Sequence, residues 1–440
     1  MVQSGKRARM VSFRSNAYPW QHKKMEQVCI VGYSRTPIGS FGGTLSSVKA
    51  TELGSITIKE SLKRSGIQPD QVEHVFMGNV VSAGTGQHPA RQAALGAGIP
   101  VDCPCTTLNK MCASGMKAVS LGYMSVATGD AQVVVAGGFE SMSNIPFYST
   151  TARFGHKFGD VSLVDGIQRD GLHDAYTDEE MGRAAVLCAV ENKITREEQD
   201  AYTLRSYNLA AANTREGSFL RDEIVPVIVK NKKNKKKTVV DSDEEAVRRP
   251  ATKESLASLP PVFKLPAKVP ESYHSSPEAS SVTAANSSVI SDGAASIVLA
   301  SRKYALKHNL PILGVISSGA DAANQPEYFT TAPAKAMKKA LERANLKPSQ
   351  VDLFEVNEAF AVVPLVTMKL LGIPLEKMNV RGGAISIGHP IGCSGARIIV
   401  TLLSALSASD KSVGCCGICN GGGGASAIVI TRPRLSSSNL

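Results

Sequence analysis

The sequence lacks long uninterrupted apolar runs. No stretch of its 440 residues approaches the roughly 18 to 20 consecutive apolar residues that a membrane-spanning helix needs. The apolar centre of a secretory signal peptide is missing as well. With 43% hydrophobic and 20% charged residues the composition is ordinary for a globular protein, and the length suffices for two or more domains. We therefore expect no membrane partner.

Acidic residues are missing from two short segments, and these segments account for the formal net charge of +11. Residues 1 to 24 hold six Lys or Arg side chains, and residues 230 to 237 hold six lysines. The rest of the chain is close to neutral. A basic tail and a basic loop are usually solvated surface, so we expect no nucleic-acid partner.

The nine cysteines are odd in number and scattered, in a chain without a secretory signal. That pattern indicates free thiols in a reducing compartment. Cys416 and Cys419 form a C-x-x-C, which is typical of half a zinc site or of a redox pair. Neither hypothesis has sequence support, because a second ligand pair and an exposed helix start are both missing.

A repeat divides the chain. ESLKRSGIQPDQVEHVF (60 to 76) returns as KALERANLKPSQVDLF (339 to 354) at an offset of 279, and Ser114-Gly115 and Asp130 return as Ser394-Gly395 and Asp410 at 280. Helical patterns alternate with short Val/Ile-rich runs, which predicts an α/β fold of two similar halves. We place the domains as follows: a basic extension at 1–26, a first half at 27–146 plus 282–311, an inserted loop domain at 147–281, a second half at 312–432, and a tail at 433–440.

Cys112 precedes small residues and an apolar helix in NKMCASGMKA, so its sulfur should lie near free N–H groups at a helix start. Such a position favours the thiolate and predicts a lowered pKa. His389 stands in G-H-P, where Gly388 and Pro390 shape a loop tip, and a histidine placed there can act as a general base.

Cys419 opens the glycine run CNGGGGA. Four glycines leave backbone N–H groups unshielded, which is a composition suited to an oxyanion hole. Glycine runs more often mark plain turns, and this one has neither a phosphate-loop lysine nor a following helix.

Together with Asn357 in VNEAF, these segments resemble the thiolase family over residues 27 to 432. Further matching motifs are RTPIGSFGG, GQHPARQAALGAGIP, GGFESMS and TAANSS. The CNGGGGAS ending and TAAN are most similar to the short-chain acetoacetyl-CoA thiolases, the acetyl-CoA acetyltransferases. The resemblance implies α-β-α-β-α layers and a reversible ping-pong condensation of two acetyl-CoA molecules to acetoacetyl-CoA and CoA. It implies no covalent cofactor.

The same resemblance assigns roles to residues. Cys112 would carry the acetyl group after activation by His389, and Cys419 would remove the α-proton of the second acetyl-CoA. One oxyanion site would be His389 with a water held by Asn357; the other would be the N–H groups of Cys112 and Gly421. Coenzyme A would meet Arg248 and Lys253 at its nucleotide end and Ser288 at its pantetheine. A potassium ion would be bound by Tyr207, Ala284, Ala285, Ser287 and Ile385.

Some positions depart from the family pattern. Arg381 replaces an Asn before Gly-Gly and would need a partner if buried. Glu180 replaces a His that is common in bacterial biosynthetic members. Phe329 keeps the aromatic seen near the acyl pocket of the branched-substrate mitochondrial enzymes but not the proline after it, so both acceptance and rejection of 2-methyl substrates stay open. The alternatives are a longer-chain degradative thiolase, a ketoacyl synthase, or a silent CoA-binding protein. Ketoacyl synthases use one Cys with two His, whereas here GHP offers one His and Cys419 replaces the other.

Localisation and assembly follow from weaker signals. Residues 1 to 24 resemble a mitochondrial transit peptide, although Met25 could itself begin a family-length protein. The terminal Ser438-Asn439-Leu440 is a loose variant of a peroxisomal address. We expect the mitochondrion, with the cytoplasm and the peroxisome as alternatives. The resemblance implies a homo-oligomer, either a dimer or a tetramer.

Overall fold

The computed structural model describes residues 25–230, 236–248 and 251–433. The basic segment 1–24, most of the lysine run and the C-terminal Ser-Asn-Leu therefore lie outside the described residues. The strands are β1 (Val28–Arg35), β2 (Gly39–Ser40), β3 (His74–Gly78), β4 (Cys105–Leu108), β5 (Val133–Ser141), β6 (Phe147–Tyr148), β7 (Val164–Asp165), β8 (His173–Asp174), β9 (Glu179–Glu180), β10 (Val227–Lys230), β11 (Lys237–Val240), β12 (Ser291–Ser301), β13 (Gly314–Ala323), β14 (Leu353–Val356), β15 (Val413–Asn420) and β16 (Gly424–Thr431).

The α-helices alternate with these strands in both halves, and short ones fill the inserted segment. They are α1 (Ala50–Ser65), α2 (Pro89–Gly96), α3 (Ser114–Thr128), α4 (Met181–Asn192), α5 (Arg196–Arg215), α6 (Ser218–Asp222), α7 (Glu244–Arg248), α8 (Lys253–Ala257), α9 (Glu271–His274), α10 (Arg302–Lys307), α11 (Ala332–Arg343), α12 (Val362–Leu371), α13 (Ala384–Ile387) and α14 (Ile391–Ala408). The predicted α/β class is confirmed.

The main sheet shows the internal repeat directly. Its strand order is β14-β15-β16-β13-β1-β12-β5-β3-β4, with β2 beside β12. The run β3-β5-β12-β1 in the first half corresponds to β14-β15-β16-β13 in the second. The innermost strands of the two runs pair with each other through Cys29↔Val315 and Ile30↔Gly314. The two similar halves therefore share one continuous ten-stranded sheet, a connection that the repeat alone did not predict.

Helices cover both faces of each half, which gives the five expected layers. The outer face of the first half packs against α1 and α2, and the outer face of the second against α11 and α12. Between the two halves lie α3 and α14, which share one apolar core with strands of both. In the described part of the chain, α14 alone has the length and apolar composition of a membrane span. Its residues from Ile391 to Leu406 are all buried, as a central helix of a layered fold requires.

The repeated Ser-Gly pairs mark the contact between the central helices. A Cβ on Gly115 would lie 2.7 Å from the backbone nitrogen of Ala396, and a Cβ on Gly395 would lie 2.4 Å from that of Met116. Only glycine permits so close an approach of two backbones. The N-terminal ends of α3 and α14 are therefore held side by side.

Buried charges tie the inserted segment to this core. Arg35 is fully buried and donates to Glu223 at 2.6 Å and to Asp243 at 2.7 Å. Arg381 is buried too, and it pairs with Asp222 at 3.0 Å and Glu223 at 3.4 Å. The partner that a buried Arg381 needs is thus provided by the inserted segment, and removing one member of such a network would leave an uncompensated charge.

Candidate active site

The turn that carries Cys112 is tightly constrained. It links the end of β4 at Leu108 to the start of α3 at Ser114, and Met111 adopts a left-handed conformation with φ of 48°. Ser114 Oγ accepts the N–H of Lys110 at 2.8 Å and donates to the carbonyl of Met111 at 2.6 Å. A non-glycine residue in this region is strained by about 1–3 kcal/mol, so the surrounding contacts must hold Cys112 in place.

The Cys112 thiol is neutral in the free site. Burial raises its pKa to about 11, although the backbone N–H groups of Gly421 and Cys112 itself oppose that shift. The expectation of a lowered pKa was therefore wrong in direction. Loss of hydration outweighs the two donors and the helix start, so the thiol needs a base to become a nucleophile.

His389 is held in one tautomer. Its Nδ1 lies 2.6 Å from Ser394 Oγ, and that hydroxyl donates to the carbonyl of Pro390 at 3.0 Å. Ser394 therefore accepts a hydrogen bond from Nδ1–H, which leaves Nε2 unprotonated. Burial, followed by the charge of Arg397, lowers the pKa of His389 to about 3, so Nε2 is unprotonated throughout the physiological range.

The loop around His389 depends on glycine. Gly388 has φ of 111°, and a Cβ there would lie 2.2 Å from Ser291 Oγ. The N–H of His389 donates to the carbonyl of Val289 at 2.8 Å. The imidazole is thus fixed immediately before α14, much as Cys112 is fixed immediately before α3.

Asn357 faces the free nitrogen of His389. Its Nδ2 lies 3.4 Å from Nε2, and its Oδ1 accepts from Arg397 at 3.4 Å. Arg397 also pairs with Glu355 at 3.1 Å, and both side chains are buried. Because Arg397 can only donate, it sets the orientation of the Asn357 amide.

Cys419 is close enough to Cys112 for the charges of the two thiols to interact. Burial raises the pKa of Cys419 well above its usual value, and the neighbouring Cys112 raises it further. Cys419 faces Ala425 across the β15–β16 hairpin, and the turn places Gly422 and Gly423 at φ of 80° and 84°. The glycine run is therefore a hairpin turn, and it also directs the Gly421 N–H at the Cys112 sulfur.

Cys416 does not join Cys419 in a site. The two thiols lie on opposite faces of β15, Cys416 in the core between the halves and Cys419 in the outer core. A zinc site or a redox pair at this C-x-x-C is thus contradicted by the alternation of a β-strand.

A cavity of about 240 Å³ opens beside His389. Its wall is formed by Met142, Gln168, Leu172, His173, Glu180, Met181, Gly182, Phe263, Ser287, Ser288, Val289, Ile290, Phe360, His389 and Ile391. The rings of Phe263 and Phe360 meet edge to face at 6.1 Å. The cavity has the apolar lining with few polar groups that is typical of a ligand site.

Comparison with known proteins agrees with this geometry. Residues 28–303 match the thiolase N-terminal domain and residues 310–432 match the thiolase C-terminal domain. The chain belongs to the thiolase family. It is 52% identical to acetyl-CoA acetyltransferase 2 of Arabidopsis thaliana over 403 residues, 92% of this chain and 96% of that protein. It is 48% identical to acetyl-CoA acetyltransferase of Schizosaccharomyces pombe over 406 residues, 92% of this chain and 99% of that protein.

The positions expected to meet coenzyme A are spread out in this thiolase. Ser288 lines the cavity. Arg248 lies in α7, where it is 62% exposed and pairs with Glu244 at 3.0 Å. Lys253 is exposed at the first residue of α8. Neither cation lines the cavity.

The positions expected to hold potassium lie on three elements that pack together. Tyr207 is buried in α5 and Ile385 is buried in α13, and these helices pack against each other. The loop with Ala284, Ala285 and Ser287 is joined to α5 by a hydrogen bond from Asn286 to Asp200 at 3.2 Å. Among the described residues, no group of three or more His, Cys, Asp or Glu side chains is arranged as a metal site.

Two groups of residues were missed by the sequence analysis. Ser394 and Arg397 orient His389 and Asn357, and both belong to the repeated segment that begins at Ser394. Phe263 and Phe360 form the cavity wall, and Phe360 ends the VNEAF motif.

Glu180, one of the departures from the family pattern, lines the cavity and pairs with Arg183 at 3.4 Å. The buried Phe329 stands behind Phe360, at a ring distance of 6.5 Å.

Proposed function

We propose that this thiolase condenses two acetyl-CoA molecules reversibly to acetoacetyl-CoA and CoA through an acetyl group on Cys112. The observation that supports it is that Cys112 and Cys419 are close enough for their charges to interact, with the Gly421 N–H directed at the Cys112 sulfur. One thiol is enough for acyl transfer. A second thiol beside it supplies the base that carbon–carbon bond formation needs.

In the first half-reaction His389 Nε2 takes the proton of Cys112, and the thiolate attacks the carbonyl of acetyl-CoA. The oxyanion is met by the N–H groups of Cys112 and Gly421, and each preorganised donor of this kind contributes about 3–4 kcal/mol. The CoA thiolate leaves with the proton of Cys419. This step yields acetyl-Cys112 and a Cys419 thiolate.

In the second half-reaction the Cys419 thiolate removes the α-proton of another acetyl-CoA. Its buried position, which raises the pKa of Cys419, makes the thiolate a strong base. The enolate oxygen is met by His389, with a water held by Asn357, and the carbanion attacks acetyl-Cys112. The Cys112 thiolate is released and recovers its proton from His389.

Mass spectrometry after exposure to acetyl-CoA tests this division of roles. We expect an acetyl adduct on the wild-type chain, its loss in Cys112→Ala, and its slower formation in Cys419→Ala, which should fail to condense. Absence of the adduct from the wild type would contradict the nucleophile. Equal loss of both half-reactions in Cys419→Ala would contradict the separate base.

Short acyl chains are supported over the longer-chain alternative by the similarity to proteins named acetyl-CoA acetyltransferase. Strong cleavage of ketoacyl-CoA of eight or more carbons, with little turnover of acetoacetyl-CoA, would overturn the short-chain assignment.

The ligand positions belong to the same proposal. Ser288 would meet the pantetheine, and Arg248 and Lys253 the nucleotide end of CoA. Neutral carbonyl oxygens and a buried Tyr207 suit potassium by donor type, since hard cations prefer oxygen ligands. A higher melting temperature in potassium than in sodium chloride of equal strength supports that ion, and equal values contradict it.

Assembly and localisation complete the proposal. A homo-oligomer, dimer or tetramer, is supported by exposed apolar side chains in the inserted segment, Phe147, Phe154, Phe158, Val161 and Leu163. Light scattering of the purified chain measures this directly.

Mitochondrial import, with the cytoplasm and peroxisome as alternatives, rests on residues 1–24 and is tested by fusing them to a fluorescent protein.

A further inference from the structure

Glu140 is a buried acid to which the proposed reaction gives no role. It is the last residue but one of β5, and only 1% of its surface is exposed. It does not line the cavity beside His389. A carboxylate that is removed from water is costly unless its oxygens accept hydrogen bonds. The donors that surround Glu140 therefore show which segments it holds together.

Each oxygen of Glu140 accepts two N–H groups. Oε1 accepts the side-chain amide of Asn79 at 2.7 Å and the backbone N–H of Val81 at 3.2 Å. Oε2 accepts the backbone N–H groups of Val80 and Gly392, both at 2.9 Å. An ionised carboxylate can accept all four hydrogen bonds, whereas an amide in its place has one acceptor oxygen and an NH₂ group that would face two donors. The surroundings thus fit a carboxylate and not an amide.

The bond from Gly392 connects Glu140 to the His389 loop. Gly392 is the second residue of α14 and follows His389 by three residues. The first four N–H groups of a helix have no partner within the helix, and negative charge is favoured at this end. A Cβ on Gly392 would lie 2.6 Å from Glu140 Oε2 and 2.8 Å from the carbonyl oxygen of Phe139. The start of α14 therefore lies directly against Glu140.

The bond from Val80 connects Glu140 to the turn that carries Cys112. The carbonyl of Val80 accepts from Asn109 Nδ2 at 3.1 Å. Asn109 Oδ1 in turn accepts the N–H of Met111, the residue before Cys112, at 2.8 Å. The segment that donates to Glu140 is thus hydrogen-bonded to the nucleophile turn as well.

Together these bonds form one path from the backbone after His389, through Glu140, to the backbone before Cys112. Apolar contacts run beside the path, in a cluster that includes Val80, Val81, Met111, Cys112 and Ile391. The charge of Glu140 also acts at the Cys112 sulfur, whose pKa it raises. The base and the nucleophile come from different halves of the chain, and Glu140 is bonded to the supporting backbone of both.

We propose that Glu140 is a positioning residue of the condensation, which sets the separation between His389 and Cys112. This inference rests on the proposed function, because it concerns the step in which His389 Nε2 takes the proton of Cys112. Glu140 itself exchanges no proton and touches no substrate. A misplacement of about 1 Å can slow an enzymatic step about 10²-fold, so the connection should be visible in the rate.

Glu140→Gln tests this role, and Asp292→Asn is its matched control. Asp292 is also a fully buried acid at this end of the sheet. It accepts from Ser141 and Ser143, which belong to neither the Cys112 turn nor the His389 loop. Both substitutions replace a buried acid by its amide. The assays are run at pH 8, because burial raises the pKa of Glu140 to about 7.

Two rates are measured, the acetylation of Cys112 in a single turnover, by quenching and mass spectrometry, and the steady-state condensation. In Glu140→Gln we expect the acetylation rate and kcat to fall about 10–100-fold, with the KM for acetyl-CoA changed less than twofold. Asp292→Asn should change neither rate more than about threefold on the same scale. Unchanged rates in Glu140→Gln, equal losses in the two variants, or an effect on KM alone overturns the proposal.

Glu140→Asp separates position from charge. It keeps the carboxylate but shortens the side chain by one methylene, so the oxygens cannot reach Gly392 and Val80 together. We expect it to remain slow. Recovery of the wild-type rate would show that charge alone is needed and would overturn the positioning role.

Asn109→Ala cuts the path at its other end. Asn109 is exposed, so this variant does not empty a buried position and tests the path even where a Glu140 variant fails to fold. Its acetylation rate should fall about threefold or more at unchanged KM, and the double variant with Glu140→Gln should be little slower than Glu140→Gln alone. An unchanged rate in Asn109→Ala, or losses that multiply in the double variant, contradicts a single path.

The wild-type chain distinguishes the two levels of failure. Absence of an acetyl adduct on wild-type Cys112 overturns the proposed function and the role of Glu140 with it. A wild-type adduct that forms equally fast in Glu140→Gln overturns the role of Glu140 alone.

Discussion

The two halves carry different residues at equivalent positions of the fold. Phe139 lies near the end of β5 in the first half, and Cys419 lies at the equivalent position of β15 in the second half, 280 residues later. Phe139 is fully buried in the core beneath α1 and α2, whereas Cys419 is close enough to Cys112 for their charges to interact. Asn109 and His389 are a second such pair. Asn109 accepts the N–H of Met111 at 2.8 Å, and so shapes the nucleophile turn.

Lys117 and Arg397 form a third pair at this spacing. Lys117 reaches Asp321 at 2.8 Å in a partly exposed ion pair, and Arg397 is fully buried against Glu355. The equivalent position therefore holds a partly exposed ion pair in α3, whereas in α14 it holds the side chain that donates to Asn357. The backbone is repeated, and the chemistry depends on single side chains at equivalent places.

The largest expected effect is a difference in condensation rate between substitutions of His389 and of Asn109. His389→Asn gives the second half the residue of the first and removes the base, so we expect the condensation rate to fall about 10²–10⁴-fold. Asn109→Ala removes only turn contacts, and its rate should fall far less. Steady-state kinetics at matched thermal stability measures both. Equal losses would mean that His389 acts only in shaping its loop.

The second-largest expected difference is between the two ion pairs, in what each contributes to the free energy of unfolding. Arg397→Met leaves Glu355 buried without its cation, which costs about 3–5 kcal/mol. Lys117→Met should cost less than about 1 kcal/mol, because its pair is partly exposed and Lys110 still reaches Asp321. Urea unfolding gives both values. A loss for Arg397→Met no larger than that for Lys117→Met would contradict a supporting role for the buried pair with Glu355.

Substitution of Asp321, which pairs with Lys110 and Lys117 of the other half, should have the smallest effect on the free energy of unfolding. Burial alone would raise its pKa, but hydrogen bonds from Lys110, Lys117 and Ser426 lower it below the usual value. A carboxyl with a depressed pKa stabilises the fold above its unfolded pKa, and that contribution is lost as the pH falls below it. Asp321→Asn should therefore lower stability near pH 7 by at most about 1 kcal/mol and flatten the decline below about pH 4. Urea midpoints across this range check both, and an unchanged slope would contradict the pairing.

Parts of the structure followed from local patterns. The helix ends were readable because Gly66 and Asn345 take left-handed conformations after α1 and α11, as the repeat indicated. The roles proposed for Cys112, His389, Asn357 and Cys419 came from the family resemblance. The state of Cys112 was predicted wrongly, since a helix start is visible in a sequence and the loss of hydration is not.

By itself the sequence determined the repeat, the α/β class and which side chains are available for chemistry, because periodicity and residue type are local properties. Only the tertiary structure decided how these side chains are used. The contact of the two central helices brings Cys112 from one half to Cys419 from the other, Ser394 selects the tautomer of His389, and Arg397 orients Asn357. Burial and hydrogen-bond direction depend on residues distant in the chain, and no local pattern contains them.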